Sequence, residues 1–135
     1  VEMAELLAEA APERHYVLGN HCLGNLSKGR FLGLVGQRKS YYSFDRDGIH
    51  FVVLDACFRR DGRDYAFGRY HWADTDIPEA QRSWLAQDLA CADRPTVVFC
   101  HQRLDRPGNR RHAVASAPDV RRILAESGKV LGVLM

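Results

Sequence analysis

Thr96-Val97-Val98-Phe99-Cys100 is an apolar run with Pro95 ahead of it, His101 behind it and a helical pattern on either side. Such a run reads as a buried strand, because it lacks the polar alternation of a half-exposed one. A buried strand set between helices restricts the chain to a layered sheet with helices packed on it. Tyr16-Val17-Leu18 has the same character and is followed by Gly19-Asn20-His21. Both runs therefore deliver polar side chains at a C-terminal strand end, where open α/β sheets place their chemistry. Gly19 allows a tight turn there, Asn20 offers a carbonyl oxygen, and His21 and His101 offer imidazole nitrogens.

The rest of the chain alternates in the same way. Met3, Leu6, Leu7 and Ala10 are spaced as one face of a short helix that Pro12 ends. Residues 22–40 carry four glycines with Ser and Lys and read as a long, mobile excursion. Tyr41 to Phe44, a turn at Asp45-Arg46-Asp47-Gly48, and Ile49 to Leu54 form a hairpin. Residues 59–76 show no period and read as loop, with Tyr70, His71 and Trp72 as packing aromatics. Pro78 and Glu79 suit a helix start, and Ala80, Trp84, Leu85 and Leu89 make one face of a helix over 79–90. Pro118 opens another helix with Val120, Ile123 and Leu124 inward, Gly128 stops it, and Val130 to Leu134 reads as a last strand. The fold class is α/β (or α+β) in one domain, residues 1–135, with no repeat or linker.

Composition narrows the partners. A formal charge of +2 is too small to argue for nucleic acid or an anionic membrane. No run approaches the ~20 apolar residues of a membrane span. Cys22, Cys57, Cys91 and Cys100 show no paired C-x-x-C spacing, so the expectation is four reduced thiols in a cytoplasmic protein. Cys22 follows His21 directly and is expected to be passive.

Gly19-Asn20-His21, the hairpin ending in Leu54-Asp55, Glu79-x-Gln81-x-x-Trp84-Leu85 and Phe99-Cys100-His101 stand in the order and spacing that resembles the calcineurin-like metallophosphoesterases. The resemblance runs from about residue 15 to the C-terminus. It implies an α/β sandwich of layered sheet flanked by helices, and hydrolysis of phosphodiesters or nucleotide pyrophosphates. In that family two divalent metals side by side clamp a phosphoester oxygen and activate the attacking water. By resemblance, Asn20 and His101 would be oxygen and nitrogen ligands of one metal. His21 would contact the phosphate and help protonate the leaving group. Mixed ligation of this kind suits Mn²⁺, Fe or Zn²⁺. The family's Asp-x-His and Gly-Asp strands are expected upstream of Val1, and its Gly-His-x-His motif just past Met135. The chain thus resembles the central and later part of such an enzyme, an incomplete domain truncated at both ends. Cys22 stands where the family usually carries an acid.

Arg103, Arg106, Arg110, Arg111 and His112 follow His101 as a basic loop, and Arg103 and Arg106 are the candidates for gripping a phosphate. A solvated loop around Pro107-Gly108-Asn109 explains the same residues equally well. Asn20-His21 also fits a plain strand-to-loop turn, and His101 a satisfied histidine at a strand end. Asp55 closes a strand facing the same crevice but is left out of the site, because the family does not generally use that position as a ligand. His15 and His50 are expected to be structural. The alternative reading is a non-catalytic α/β interaction module. Its unpaired sheet edges and bare apolar faces would be covered in a homodimer or higher oligomer.

Overall fold

A computed structural model describes residues 6–7, 9–11, 13–71, 73–106 and 113–135. Four strands form one mixed sheet in the order β1-β2-β3-β4: β1 Tyr42–Arg46, β2 Ile49–Val53, β3 Thr96–Phe99 and β4 Val130–Leu134. Strands β1 and β2 pair antiparallel, Phe44 opposite Phe51, and their turn is Asp47-Gly48. Both turn residues have positive φ, 50° and 79°, the I′ geometry whose twist matches the flanking strands. The remaining pairings are parallel: β2 with β3 through Val52↔Val98, and β3 with β4 through Val98↔Val133.

The α1 helix spans Lys28–Val35, α2 Glu79–Cys91 and α3 Ala117–Ser127. Helices α2 and α3 are the crossovers of two successive βαβ units that step the same way across the sheet, so both fall on one face. There Leu85 and Leu89 of α2 and Val120 and Leu124 of α3 pack against Val52, Leu54, Val98 and Cys100. The opposite face carries Phe44, Phe51 and Phe99 in a stacked row, with His15 lying on Phe44 at 3.6 Å. Strand β4 is an edge. A register shift between Thr96 and Val97 leaves Leu131 69 % exposed, and Leu134 and Met135 are exposed beside it.

The α/β class, the hairpin, α2, α3 and β4 all stand as the sequence implies, and 59–76 is irregular with only isolated bridges. Three expectations are corrected. Tyr16–Leu18 is extended but belongs to no ladder, because Gln37 takes its hydrogen bonds: Tyr16 N–H donates to Gln37 Oε1 at 3.0 Å and Gln37 Nε2 donates to Tyr16 O. Residues 22–40 are not a featureless excursion, since Ser27 caps α1 by accepting from Arg30 N–H and Gly36 ends it at φ 71°. On α2 the inward position beside Leu85 and Leu89 is Gln81, whereas Ala80 is exposed. The N-terminal helix is described only in part. Leu6, Leu7, Glu9 and Ala10 are helical and exposed, while Met3 and Pro12 lie outside the described residues.

His50 is structural, as expected. Its Nδ1 meets Asp45 at 2.6 Å and its Nε2 meets Asp88 of α2 at 2.9 Å, tying the hairpin to the helix. Burial opposes its charge, but hydrogen bonds and attraction from both carboxylates outweigh burial and raise its pKa. A raised folded-state pKa gives stability that is complete below the unfolded value near 6.5 and lost as pH rises through the folded value. The bond to His50 also holds Asp45 below the usual carboxylate range, a contribution lost only in acid. Thermal unfolding is therefore expected to drop by a few degrees from pH 6 to pH 8, and His50→Gln to flatten that slope. An equal slope in the variant would show that His50 does not carry it.

Candidate functional site

Both βα crossings open at the carboxyl ends of β2 and β3, and the site is built there. Strand β3 ends at Phe99, Cys100 stays buried, and His101 emerges into solvent. The segment from Arg14 runs in extended form to Gly19 and turns into the 3₁₀ turn Asn20–Leu23. Gly19 is buried against the His101 ring: a Cβ there would lie 3.1 Å from Cε1 and Nε2, closer than side chains normally sit. That close approach brings His101 Nε2 to 3.1 Å from Asn20 Oδ1, across 81 residues of sequence.

Asn20 and His101 share a pocket of about 250 Å³ with Tyr65, Tyr70, Thr75, Gln102 and Arg103. Arg103 presents its Nε to Asp105 at 2.8 Å and its Nη2 to the same carboxylate. His21 is exposed beside Asn20 and meets Tyr70 edge-on at 6.4 Å between ring centres, without lining the pocket. Arg106 is exposed and does not line it either. Arg110, Arg111, His112 and Trp72 lie outside the described residues. The structure thus brings together Asn20, His101 and Arg103, keeps His21 at their edge, and leaves Arg106 apart. Tyr70 is a pocket wall as well as a packing residue, stacked on Tyr65 at 5.0 Å. Cys22 packs against Leu18, Leu23, Cys57 and Tyr65, in keeping with a passive thiol.

Beneath these residues lies a polar layer whose members are scattered through the sequence. Asp55, set aside on the sequence, is fully buried one residue past Leu54, and its Oδ1 accepts from Cys57 N–H at 2.8 Å. Lys28 Nζ stands 2.7 Å from Asp55 Oδ2 and 2.7 Å from Asp64 Oδ1, over the Phe58 ring. The Lys28–Asp55 contact is not aligned as a hydrogen bond, so charge holds it. Gln81 clamps the backbone of Asp55 from both sides, accepting from its N–H at 2.9 Å and donating to its carbonyl at 2.8 Å. The strand-end position of Asp55, equivalent to that of His101, was the legible signal. Nothing around Lys28 in sequence marks it as an internal cation.

Three weakly acidic groups lie in or near the pocket. Burial pushes the Cys57 thiol far above its ordinary range and the Cys100 thiol up to about 12. Burial likewise pushes the Tyr65 hydroxyl up to about 12, so all three stay protonated near neutrality.

Two donors on one divalent ion, each bonded at 2.0–2.2 Å, sit about 3 Å apart, and the Asn20–His101 separation matches this. Catalytic sites of this kind use about three protein ligands. Among the described residues no three His, Cys, Asp or Glu side chains converge on one point. The pair therefore fits part of a metal's coordination and not all of it. Among the same residues no helix is long and apolar enough to cross a membrane. No protein-family model and no curated protein matches this chain.

Proposed function

We propose that this chain carries one half of a metal-dependent phosphoesterase site of the calcineurin-like type, acting on phosphodiesters or nucleotide pyrophosphates. The observation that carries the reading is the meeting of Asn20 Oδ1 and His101 Nε2 at 3.1 Å, at strand-end level, where the absence of a side chain on Gly19 lets the His101 ring lie close. Asn20 and His101 would hold a Mn²⁺, Fe or Zn²⁺ ion, which supplies positive charge to a phosphoester oxygen. Arg103 adds a cationic donor for the phosphate at the pocket wall. His21, exposed beside Asn20, would give a proton to the departing oxygen. In this reading a second sheet completes the sandwich by covering the row of Phe44, Phe51 and Phe99.

Mn²⁺ titration tests the metal half, read as paramagnetic broadening of histidine ring signals. Broadening is expected at His101, is expected to vanish in Asn20→Leu, and is expected to be weak because two ligands are few. Hydrolysis of bis-p-nitrophenyl phosphate tests the chemistry. Turnover that needs Mn²⁺ and collapses in His21→Asn would support the assignment. If neither broadening nor turnover appears, the reading falls. The interaction module then remains, favoured by the exposed apolar edge at Leu131, Leu134 and Met135.

A further inference from the structure

We propose that the pocket beside Asn20 and His101 reads hydroxyl groups on its ligand, and that Gln102 is the specificity-determining residue. The phosphate end of that ligand rests on the phosphoesterase reading. The hydroxyl end rests on the pocket alone.

Gln102 is 94 % buried, lines the pocket, and has an Oε1 with no hydrogen-bond partner among the described residues. Buried polar atoms are paired almost without exception, so an orphan in a pocket wall calls for a partner. Which end of the amide is left over follows from Cys57. Its thiol stays protonated and donates to Leu18 O at 3.6 Å, which leaves the sulfur free to accept. Gln102 Nε2 donates to that sulfur at 3.4 Å. The oxygen is therefore the free end, an acceptor.

Its neighbours have the same polarity. The Thr75 hydroxyl donates to Ala56 O at 2.7 Å, and the Tyr65 hydroxyl donates to Asp74 O at 2.6 Å. With their hydrogens committed, both offer only lone pairs. Among the pocket's lining residues, Thr75, Tyr65 and Gln102 therefore have oxygens that can accept and not donate, while Arg103, engaged in part by Asp105, brings N–H groups to the same pocket. A ligand that satisfies both carries an anion at one end and several donors at the other. A phosphate ester of a polyol or sugar has that form, and about 250 Å³ has room for one such ring. Gln102 Oε1 is sealed from water in this conformation, so meeting the ligand requires the amide to turn about its soft terminal torsion and to give up part of its bond to Cys57 Sγ.

Binding of three probes to the whole chain tests this by calorimetry: ribose 5-phosphate, pentyl phosphate (the same carbon count without the ring or hydroxyls) and inorganic phosphate. Ribose 5-phosphate is expected to bind about tenfold more tightly than pentyl phosphate or more, the value of an additional hydrogen bond to a buried acceptor. Gln102→Met is expected to erase most of that preference without lowering the unfolding temperature, since it removes an unpaired buried oxygen. Gln102→Glu keeps an acceptor and is expected to keep the preference. A lower unfolding temperature in Gln102→Met with the preference intact would show a purely structural glutamine and overturn the proposal. Equal binding of ribose 5-phosphate and pentyl phosphate by the wild-type chain would overturn it as well, whether or not the variants fold. Loss of Mn²⁺-dependent turnover alone would remove the phosphoesterase reading and leave the hydroxyl preference standing.

Discussion

Lys28→Met is expected to lower the unfolding temperature by roughly 10–20 °C. The reason is what it leaves behind. Asp55 is fully buried, and Lys28 is the cation 2.7 Å from its Oδ2. Removing one partner of a buried pair costs about 3–5 kcal/mol, because the other charge is then stranded in a medium that solvates it poorly. Asp64, 53 % exposed, also contacts Lys28 but can turn to water when the cation is gone. Adding Asp55→Asn to Lys28→Met removes the stranded charge and keeps an oxygen for Cys57 N–H, so the double variant should be more stable than Lys28→Met alone. Thermal melts of the three proteins decide it. A double variant no more stable than the single one would mean that packing of the Lys28 stem over Phe58, rather than charge, carries the effect.

Gln81→Met is expected to cost about 2–5 kcal/mol, although it exchanges a polar side chain for an apolar one of similar length inside the core. Gln81 is 1 % exposed and serves both the N–H and the carbonyl of Asp55, where β2 has left the sheet and no strand partner remains. Methionine would fill the space and satisfy neither group, and a buried backbone group without a partner costs more than the hydrogen bond itself contributes. Denaturant unfolding measures the loss. A Gln81→Met protein as stable as wild type would show that water reaches the Asp55 backbone. The site should suffer too: Asp55 lies beneath the pocket, so pocket binding is expected to weaken at temperatures where the variant is still folded.

These two residues mark where a sequence stops being informative. Local patterns determined the elements: the apolar period of Val120, Ile123 and Leu124 wrote α3, Asp47-Gly48 wrote the hairpin turn, and the unbroken run from Thr96 wrote a buried strand. Such signals are carried by neighbours three or four residues apart, or two, and need no knowledge of the rest of the chain. The same reasoning makes Tyr16–Leu18 a strand, because it is a short apolar run. Only the fold shows that the Gln37 side chain, 21 residues away, takes the hydrogen bonds a neighbouring strand would have taken.

The chemistry divides in the same way. Asn20, His21 and His101 were legible as polar residues at the ends of apolar runs, where sheet geometry sends side chains outward. That Asn20 and His101 meet, that His21 stands at the rim, and that Arg103 lines the pocket while Arg106 does not were decided in three dimensions. So were the buried Lys28–Asp55 pair and the unpaired oxygen of Gln102. Both depend on partners tens of residues distant, and the energy that makes them matter comes from exclusion of water, a property of the packed chain and of no residue taken singly. By itself, the sequence determined which segments are helices and strands and which strand ends carry reactive groups. Tertiary structure decided which of those groups share a pocket and which charges lie beneath it, because burial and long-range contact exist only once the layers close.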